Sequence, residues 1–430
     1  MCRAIVAIFC LVGLPFSIWA QRPALKYVSE SAGVSLRELA DTALLRNKDL
    51  QAARESLRQA EARLSQARVR PNPTLDISRT TDVMFKNEGD IDMSVTVSQE
   101  FELGGKRSKR INVEEASIEV AKADIANAER QLTGRLRVLF AEAIGAAARL
   151  DLFDRLDELN QQLVAVMTTR LRSGDASRLD SQLLAGETNQ VSARRIVTQN
   201  QLEATLLQIL TLAGLPENEG LVLRRPQQTD AFPETEASAL ARALETRPDL
   251  KALRLREALQ EAGITLAKSQ SVSNVTAFVR YGRESLPILV NGSSTQSFER
   301  ENVMEFGVSI PLPFFNRQQG NIAEASSRRV QARAERESLE AEIRQEVLLA
   351  FRRYNAARRA LDVLKNGVLQ PNQESLGIIR LSYNLGEMRL LDVVNQQRVA
   401  VEAETSYIDA QTEFNSAIAT LETAIAADGK

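Results

Sequence analysis

Residues 47–67 read NKDLQAARESLRQAEARLSQA, and residues 247–267 read RPDLKALRLREALQEAGITLA. At an offset of 200 positions, Asp49, Leu50, Ala52, Arg54, Glu61, Ala62 and Ala67 fall on Asp249, Leu250, Ala252, Arg254, Glu261, Ala262 and Ala267. Further along the offset is 212: Gly174-Asp175 falls on Gly386-Glu387, and Leu179-Asp180 on Leu391-Asp392. The extra positions lie in a longer hairpin loop of the second copy, 285–301 against 85–90. Residues 38–214 read as short helix, helix, strand pair, very long helix, glycine turn and helix, and residues 236–426 repeat that order. Two structural repeats that mix short strands with so long a helix are not an ordinary globular domain.

Composition agrees with a mainly α chain carrying a small β part. Aromatic residues are only 5% of the 430, while Ala, Leu, Glu, Arg and Gln dominate. That mixture suits closely packed long helices better than a sandwich or a doubly wound sheet. The 54 basic and 56 acidic residues are interspersed, so no field points to nucleic acid, and the charges read as solvated helix faces.

Residues 1–20 read as a signal peptide: Arg3, an apolar run from Ala4 through Val12 to Ile18, then Ala20 before Gln21. Residues 21–37 form an N-terminal segment. Both cysteines, Cys2 and Cys10, lie inside the signal, and the bulky Phe9 before Cys10 argues against lipid attachment. The mature chain therefore has no cysteine, and the whole chain has no histidine. A Ser-His-Asp triad, a cysteine nucleophile and a zinc site of the usual kind are excluded. Acidic pairs such as Glu114-Glu115 read as helix-surface charges. Gly104-Gly105-Lys106 lacks the spacing and the following Ser/Thr of a phosphate loop. No catalytic residue, cofactor or metal site is expected, and the chain does not read as an enzyme.

No stretch after the signal has the ~18 uninterrupted apolar residues of a spanning helix. If the chain crosses a membrane, it does so with strands in a closed barrel. Four segments alternate apolar and polar residues, at about 74–84, 91–101, 274–284 and 302–312. Each has the length of a tilted bilayer-spanning strand. A small soluble sheet with one face packed on helices would alternate in the same way. Four strands cannot close a barrel, since about eight is the smallest workable number. A barrel would need two protomers or three, and the pattern does not choose between them.

The long helices are expected at 104–172 and 317–385, each followed by a return helix, at 176–213 and 388–425; residues 215–235 link the two copies. Leu132, Leu136, Leu139, Ala143, Ala146, Leu150 and Phe153 step by heptads, as do Ile343, Val347, Ala350, Tyr354, Ala357, Leu361, Leu364 and Val368. That period implies left-handed coiling against partner helices. Rods of this length reach about 100 Å at 1.5 Å per residue. Pro371 interrupts the second rod, and a kink is expected there. Each rod ends at a glycine turn, at Gly174-Asp175 or Gly386-Glu387, so strands and turns lie at opposite ends of a long object. The helices read either as a sheath around a hollow core or as a solid coiled coil.

Three stretches carry a family resemblance. They are Tyr383-x-x-Gly386-x-x-x-x-x-Asp392-Val393-Val394 with its echo from Gly174 to Asp180-Ser181, the junction from Gln99 to Arg107, and the second junction from Ile310 to Ile322. Over essentially the whole mature chain the sequence resembles the TolC-like outer-membrane efflux proteins. The second junction looks most like the heavy-metal (cobalt-zinc-cadmium) branch.

The resemblance implies an outer-membrane β-barrel continued by a long periplasmic α-helical coiled-coil barrel. It implies a homotrimer with four strands per protomer, seated in outer-membrane lipid of a Gram-negative bacterium. It also implies a periplasmic adaptor at the helix tips and an inner-membrane efflux pump, commonly proton-driven. Such a duct would export heavy-metal cations or drugs; a type I protein-secretion channel is the near variant, and an exported coiled-coil scaffold without a pore is the alternative from another class. Carried over by motif, Asp392 is the candidate constriction carboxylate, and Asp180 and Tyr383 are candidates for contacts that hold the aperture shut. Gly174, Asp175, Gly386 and Glu387 are candidates for adaptor docking. Two positions depart from the family pattern: Asn395 stands where a second lumenal acid is usual, and Met388, beside Arg389, stands where an arginine is. With no His or Cys in the duct, substrate choice falls to the pump.

Overall fold

The computed structural model describes residues 27–81, 91–174, 177–226, 235–289, 296–385 and 387–426; the expected signal peptide lies outside them. In chain order the first half forms β1 (Val28–Ser29), α1 (Leu36–Arg46), α2 (Lys48–Ala67), β2 (Thr74–Thr81), β3 (Ile91–Phe101), α3 (Lys106–Ser173) and α4 (Arg178–Ala213). The second half forms β4 (Leu223–Arg224), α5 (Glu236–Thr246), α6 (Pro248–Gln270), β5 (Val275–Leu289), β6 (Gln296–Ser309), α7 (Gln319–Val363), α8 (Gln370–Asn384) and α9 (Leu390–Ala424). The protein is mainly helical with a small sheet part.

Local chemistry sets the helix ends. Ser35 accepts a hydrogen bond from the Glu38 amide at 3.3 Å, and the Glu38 carboxylate accepts from the Ser35 amide at 2.8 Å, a reciprocal cap that starts α1. Helix α3 stops at Gly174, whose φ of 84° closes the last turn without a Cβ penalty.

Three features differ from the sequence expectations. First, the helical rod after β6 is not uniform: residues 364–369 wind as a π turn between α7 and α8. Pro371 has no amide to donate to Gly367, and a wider turn just before it absorbs the missing bond. The interruption expected at Pro371 is this π turn. Second, β6 ends at Ser309, short of the expected 312, because Pro311 and Pro313 supply no ladder donors. It begins earlier than expected, at Gln296, and β5 runs on to Leu289. Third, the N-terminal segment and the linker are joined. Val28 and Ser29 pair in parallel with Leu223 and Arg224. Gly33, at φ 107°, lets the chain pass where a Cβ would sit 2.7 Å from the Val222 carbonyl oxygen.

The core is a string of clusters along the rods. Leu136, Phe140, Leu202 and Ile209 anchor one, with Val28 and Leu223 in it. Ile343, Val347, Tyr354, Leu421 and Ile425 anchor a second. Leu152, Phe153, Val191, Val401 and Ile408 bind α3, α4 and α9 together. Helices α3 and α9 cross with unusual closeness where Gly134 meets Thr423 and Gly145 meets Thr412. Both threonine hydroxyls donate back to their own helix, to Ala419 and Ile408 carbonyls, so no polar group is stranded in the crossing.

The α1–α2 and α5–α6 corners clip the return helices by different chemistry. Asn47 donates from Nδ2 to the Leu212 carbonyl at 3.0 Å, while its Oδ1 accepts from the Leu50 amide. Arg247, the residue aligned with Asn47, donates to the Ala424 carbonyl at 3.0 Å. It is 4% exposed, so its charge needs partners, which are Asp249 at 2.6 Å and Glu346 at 2.7 Å. Arg130 of α3 adds a second guanidinium to Asp249 at 3.2 Å and caps the Thr423 carbonyl. Burial pushes the Asp249 carboxyl up, but the hydrogen bonds and charge of Arg247, with Arg130 behind it, hold it below the usual carboxylate range.

A Cβ at position 145 would overlap the Thr412 side chain. Gly145→Ala is expected to cost about 2–3 kcal/mol by overpacking. Gly186→Ala, in open space on α4, should gain about 0.5–1 kcal/mol of helix propensity. Thermal unfolding of the two variants reads this opposite pair of shifts.

Candidate functional site

The helix tips hold most of the residues singled out from sequence. After Gly174, Ser177 opens α4 by accepting from the Leu179 amide at 3.1 Å, which sets Asp180 in the first turn, half-buried. Its counterpart Asp392 lies in the first turn of α9, and its Oδ2 accepts from the Arg389 amide at 3.1 Å. One carboxylate oxygen of Asp392 is therefore engaged by its own helix, at the positive end of the dipole. Glu387 is exposed and its amide closes the end of α8 on the Ser382 carbonyl at 2.9 Å. Asp175 and Gly386 lie outside the described residues.

Tyr383 bridges the two tips. Arg170, in the last turn of α3, donates from Nη1 to its hydroxyl at 3.3 Å. Nothing in the spacing of the sequence connects Arg170 to Tyr383, so this partner is visible only in three dimensions. Arg389 lends its backbone amide to Asp392, and Met388 is exposed. Within one chain Asp180 and Asp392 are not brought together by any hydrogen bond between them.

Deeper in the rods sits a polar layer that sequence reasoning also missed. Asn160 of α3 is 1% exposed and Gln397 of α9 is 7% exposed. Gln397 Nε2 donates to Asn160 Oδ1 at 3.1 Å, while Asn160 Nδ2 has no partner among the described residues. Gln396 reaches Asn372 of α8 at 3.4 Å beside it. The signal was present: Asn160 falls between Leu156 and Met167 on the apolar seam of α3. Buried amide pairs of this kind fix register between coiled helices at some cost in stability.

At the other end lies the sheet, four strands in the order β2-β3-β5-β6, all neighbours antiparallel. The registers align apolar residues in rows across it. Leu75, Val97, Val279 and Phe306 make one row, and Ile77, Val95, Tyr281 and Met304 the next. These side chains are exposed, Phe306 by 71%. Among the described residues no helix covers the face. The junction after β6 extends the apolar surface with Leu312, Phe314 and Phe315, the last 95% exposed. The opposite face is polar, with Ser78 and Ser94 hydrogen-bonded at 2.7 Å and Thr74 and Ser98 at 2.6 Å. Gly307 there lies under the Phe278 ring.

Charge is sorted between the faces. Asp76, Asp92, Glu100, Glu284, Glu299, Glu301 and Glu305 all alternate onto the polar face, where Arg280 holds Glu284 and Glu305 at 3.4 Å each. Among the described side chains the apolar face carries no carboxylate. Strands β2 and β6 each have an outer edge that pairs with no described strand. A sheet with a bare apolar face, an acidic polar face and two open edges is built to be completed by something else.

Comparison with known proteins gives this arrangement a class. The sequence profile described as outer membrane efflux protein matches residues 39–215 and 239–427, and the chain belongs to that family. Family members are passive outer-membrane channels that extend into the periplasm, and the protein is not an enzyme. They function with an adaptor and an inner-membrane pump in tripartite systems. The cobalt-zinc-cadmium resistance protein CzcC of Cupriavidus metallidurans is 24% identical over 396 residues, spanning 91% of this chain and 90% of CzcC. The pyoverdine export outer membrane protein OpmQ of Pseudomonas putida is 25% identical over 411 residues, 87% of this chain and 82% of OpmQ. In fold, the chain superposes on the Campylobacter jejuni CmeC outer membrane channel with a TM-score of 0.74 at 14% identity, covering 97% of this chain and 94% of CmeC.

Asn160→Ala strands the buried Gln397 amide and should lower stability by about 1–3 kcal/mol. The double replacement Asn160→Leu with Gln397→Leu should recover most of that loss, because both polar groups leave together. Unfolding midpoints in detergent of the two variants against wild type check the difference.

Proposed function

We propose that three copies of this chain form the exit duct of a tripartite efflux system, each built from two structural repeats and contributing two hairpins. Twelve strands would close one barrel in the outer membrane, and the long helices would continue it as a periplasmic tunnel. The observation that carries this reading is the sheet, whose apolar face is uncovered and whose two edges are open. Lipid satisfies the face, and a neighbouring chain satisfies each edge. A soluble scaffold would leave both exposed to water, at risk of aggregation.

The seven carboxylates of the polar face then line the barrel lumen, repeated by each protomer. Rings of one charge in a pore favour counter-charged solutes, so the cargo class that fits is cationic: heavy-metal cations or cationic drugs. Likeness to CzcC supports the metal branch. At the other end Asp392 is the constriction carboxylate, with its Oδ2 tied to Arg389 and its other oxygen left for passing cations. The Arg170–Tyr383 bond, with Asp180 nearby on the next helix, restrains the tips in the closed state. The periplasmic adaptor docks at the turns around Gly174, Asp175, Gly386 and Glu387, and the inner-membrane pump, proton-driven in this reading, selects the substrate.

Purified protein in planar bilayers should give single-channel conductance from a trimeric species, blocked by multivalent cations from the periplasmic side. Asp392→Ala should weaken that block about tenfold or more, as expected for removing one full ring of charge from a narrow pore. Unchanged block sinks the role of Asp392; absence of any pore sinks the duct.

A further inference from the structure

Three arginines stand on the apolar face of the sheet, all toward its hairpin end: Arg79 on β2, Arg283 on β5 and Arg300 on β6. Met93 pairs with Arg79 on one side and Arg283 on the other. The two guanidinium-bearing residues therefore flank it, about 10 Å apart at two strand spacings. Arg300 lies opposite Ser285, two positions beyond Arg283 on the adjacent strand, a diagonal neighbour of Arg283. All three are exposed.

Their surroundings contrast with those of Arg280. Arg280 faces the other way and is held by two carboxylates. The three face a surface on which no described side chain is acidic, and none makes a hydrogen bond or ion pair with a described residue. Like charges so close repel, and no described residue supplies an anion to offset them. The row directly beneath is apolar and includes a tyrosine: Ile77, Val95, Tyr281 and Met304.

Their height is also informative. Arg283 is eight residues along β5 from Val275, where the sheet meets the helices. That is about 27 Å along a strand at 3.4 Å per residue, and a tilted strand of that length spans most of a bilayer's apolar band of ~25 Å. Arginine on the lipid face costs about 2–4 kcal/mol at the midplane and about 0–1 near the interface. On the membrane-spanning reading the row lies near the outer interface, where that cost is smallest.

We propose that Arg79, Arg283 and Arg300 form a site for the phosphate groups of an anionic lipid in the outer leaflet. The inference rests on reading the strands as membrane-spanning. Guanidinium forks bind phosphate oxygens in pairs, which suits a headgroup carrying more than one phosphate. The acyl chains lie below, over Ile77, Val279, Met304 and Phe306. A free phosphate ion would gain none of that apolar contact, so the occupant is a lipid. In the trimer the site recurs three times around the barrel.

Native mass spectrometry of the full channel tests it, with a glycolipid carrying two phosphates (lipid A), phosphatidylcholine and inorganic phosphate as probes. Wild type should retain the phosphorylated glycolipid in preference to phosphatidylcholine, and millimolar inorganic phosphate should not displace it. Arg79→Gln/Arg283→Gln/Arg300→Gln should cut retention about tenfold or more, the loss of charge-assisted bonds worth over 1 kcal/mol. Arg283→Gln alone should give a smaller loss in the same direction, and Arg280→Gln on the opposite face none. Equal retention by wild type and the triple variant, or an equal loss in Arg280→Gln, overturns the site. Normal trimeric pores without lipid preference overturn the site alone; no pores in wild type overturn the membrane-spanning reading and the site with it.

Discussion

An uncovered apolar sheet face is the constraint on which the rest of the molecule depends. Leu75, Ile77, Val95, Val97, Phe306 and Val308 lie in register, exposed, with no described residue over them. In water such a surface would drive association without limit, and the open edges of β2 and β6 would template it. In the proposed trimer a lipid surround and strand pairing between chains would remove both liabilities at once. The long helices follow from this arrangement. With the sheet seated in the outer membrane as proposed, the helices would cross the periplasm, and α3 with its 68 residues spans about 100 Å.

Helices of that length need more than propensity to stay in register. Alanine-rich seams pack closely but discriminate poorly between neighbouring alignments. Three devices supply the discrimination here. Gly134 and Gly145 accept the threonines of α9 and set the closest approach. The Asn160–Gln397 layer penalises slippage, because a shifted helix would bury unpaired amides. The Asn47 and Arg247 corners pin the ends of α4 and α9. The tips, which show none of these devices among the described residues, are held by lighter contacts such as Arg170–Tyr383. In the proposed duct that distribution would leave the rod firm along its middle and the tips freer to move.

Legibility from sequence divided along physical lines. Period-two alternation at 91–101, the heptads from Ile343 onward and the stop at Gly174 are local patterns, and the elements they describe could be read directly. The β1–β4 pairing could not, because two-residue strands have no period to detect. The π turn at 364–369 was legible only as a proline problem, since the way a helix absorbs a missing amide depends on its neighbours. Asn47 and Arg247 aligned on sequence, yet their shared task appeared only when both were found on carbonyls of the return helices. The charge sorting of the sheet was half-visible. Alternation put Asp92 and Glu305 between apolar residues, but the cross-strand register was needed to bring the carboxylates to one face and Arg79, Arg283 and Arg300 to the other. For the tips, the motif pointed to Asp392 and Tyr383, while the partners Arg389 and Arg170 came from three-dimensional contact.

The central claim is that the apolar face meets lipid and the polar face meets water. With no cysteine beyond residue 10, single labels can be placed cleanly. Phe306→Cys and Glu305→Cys, each carrying an environment-sensitive fluorophore in reconstituted vesicles, probe adjacent residues on opposite faces. The account predicts that the label at 306 is quenched by lipid-bound nitroxides and shielded from aqueous iodide, and that the label at 305 behaves in the reverse way. Equal aqueous access at both positions would contradict it.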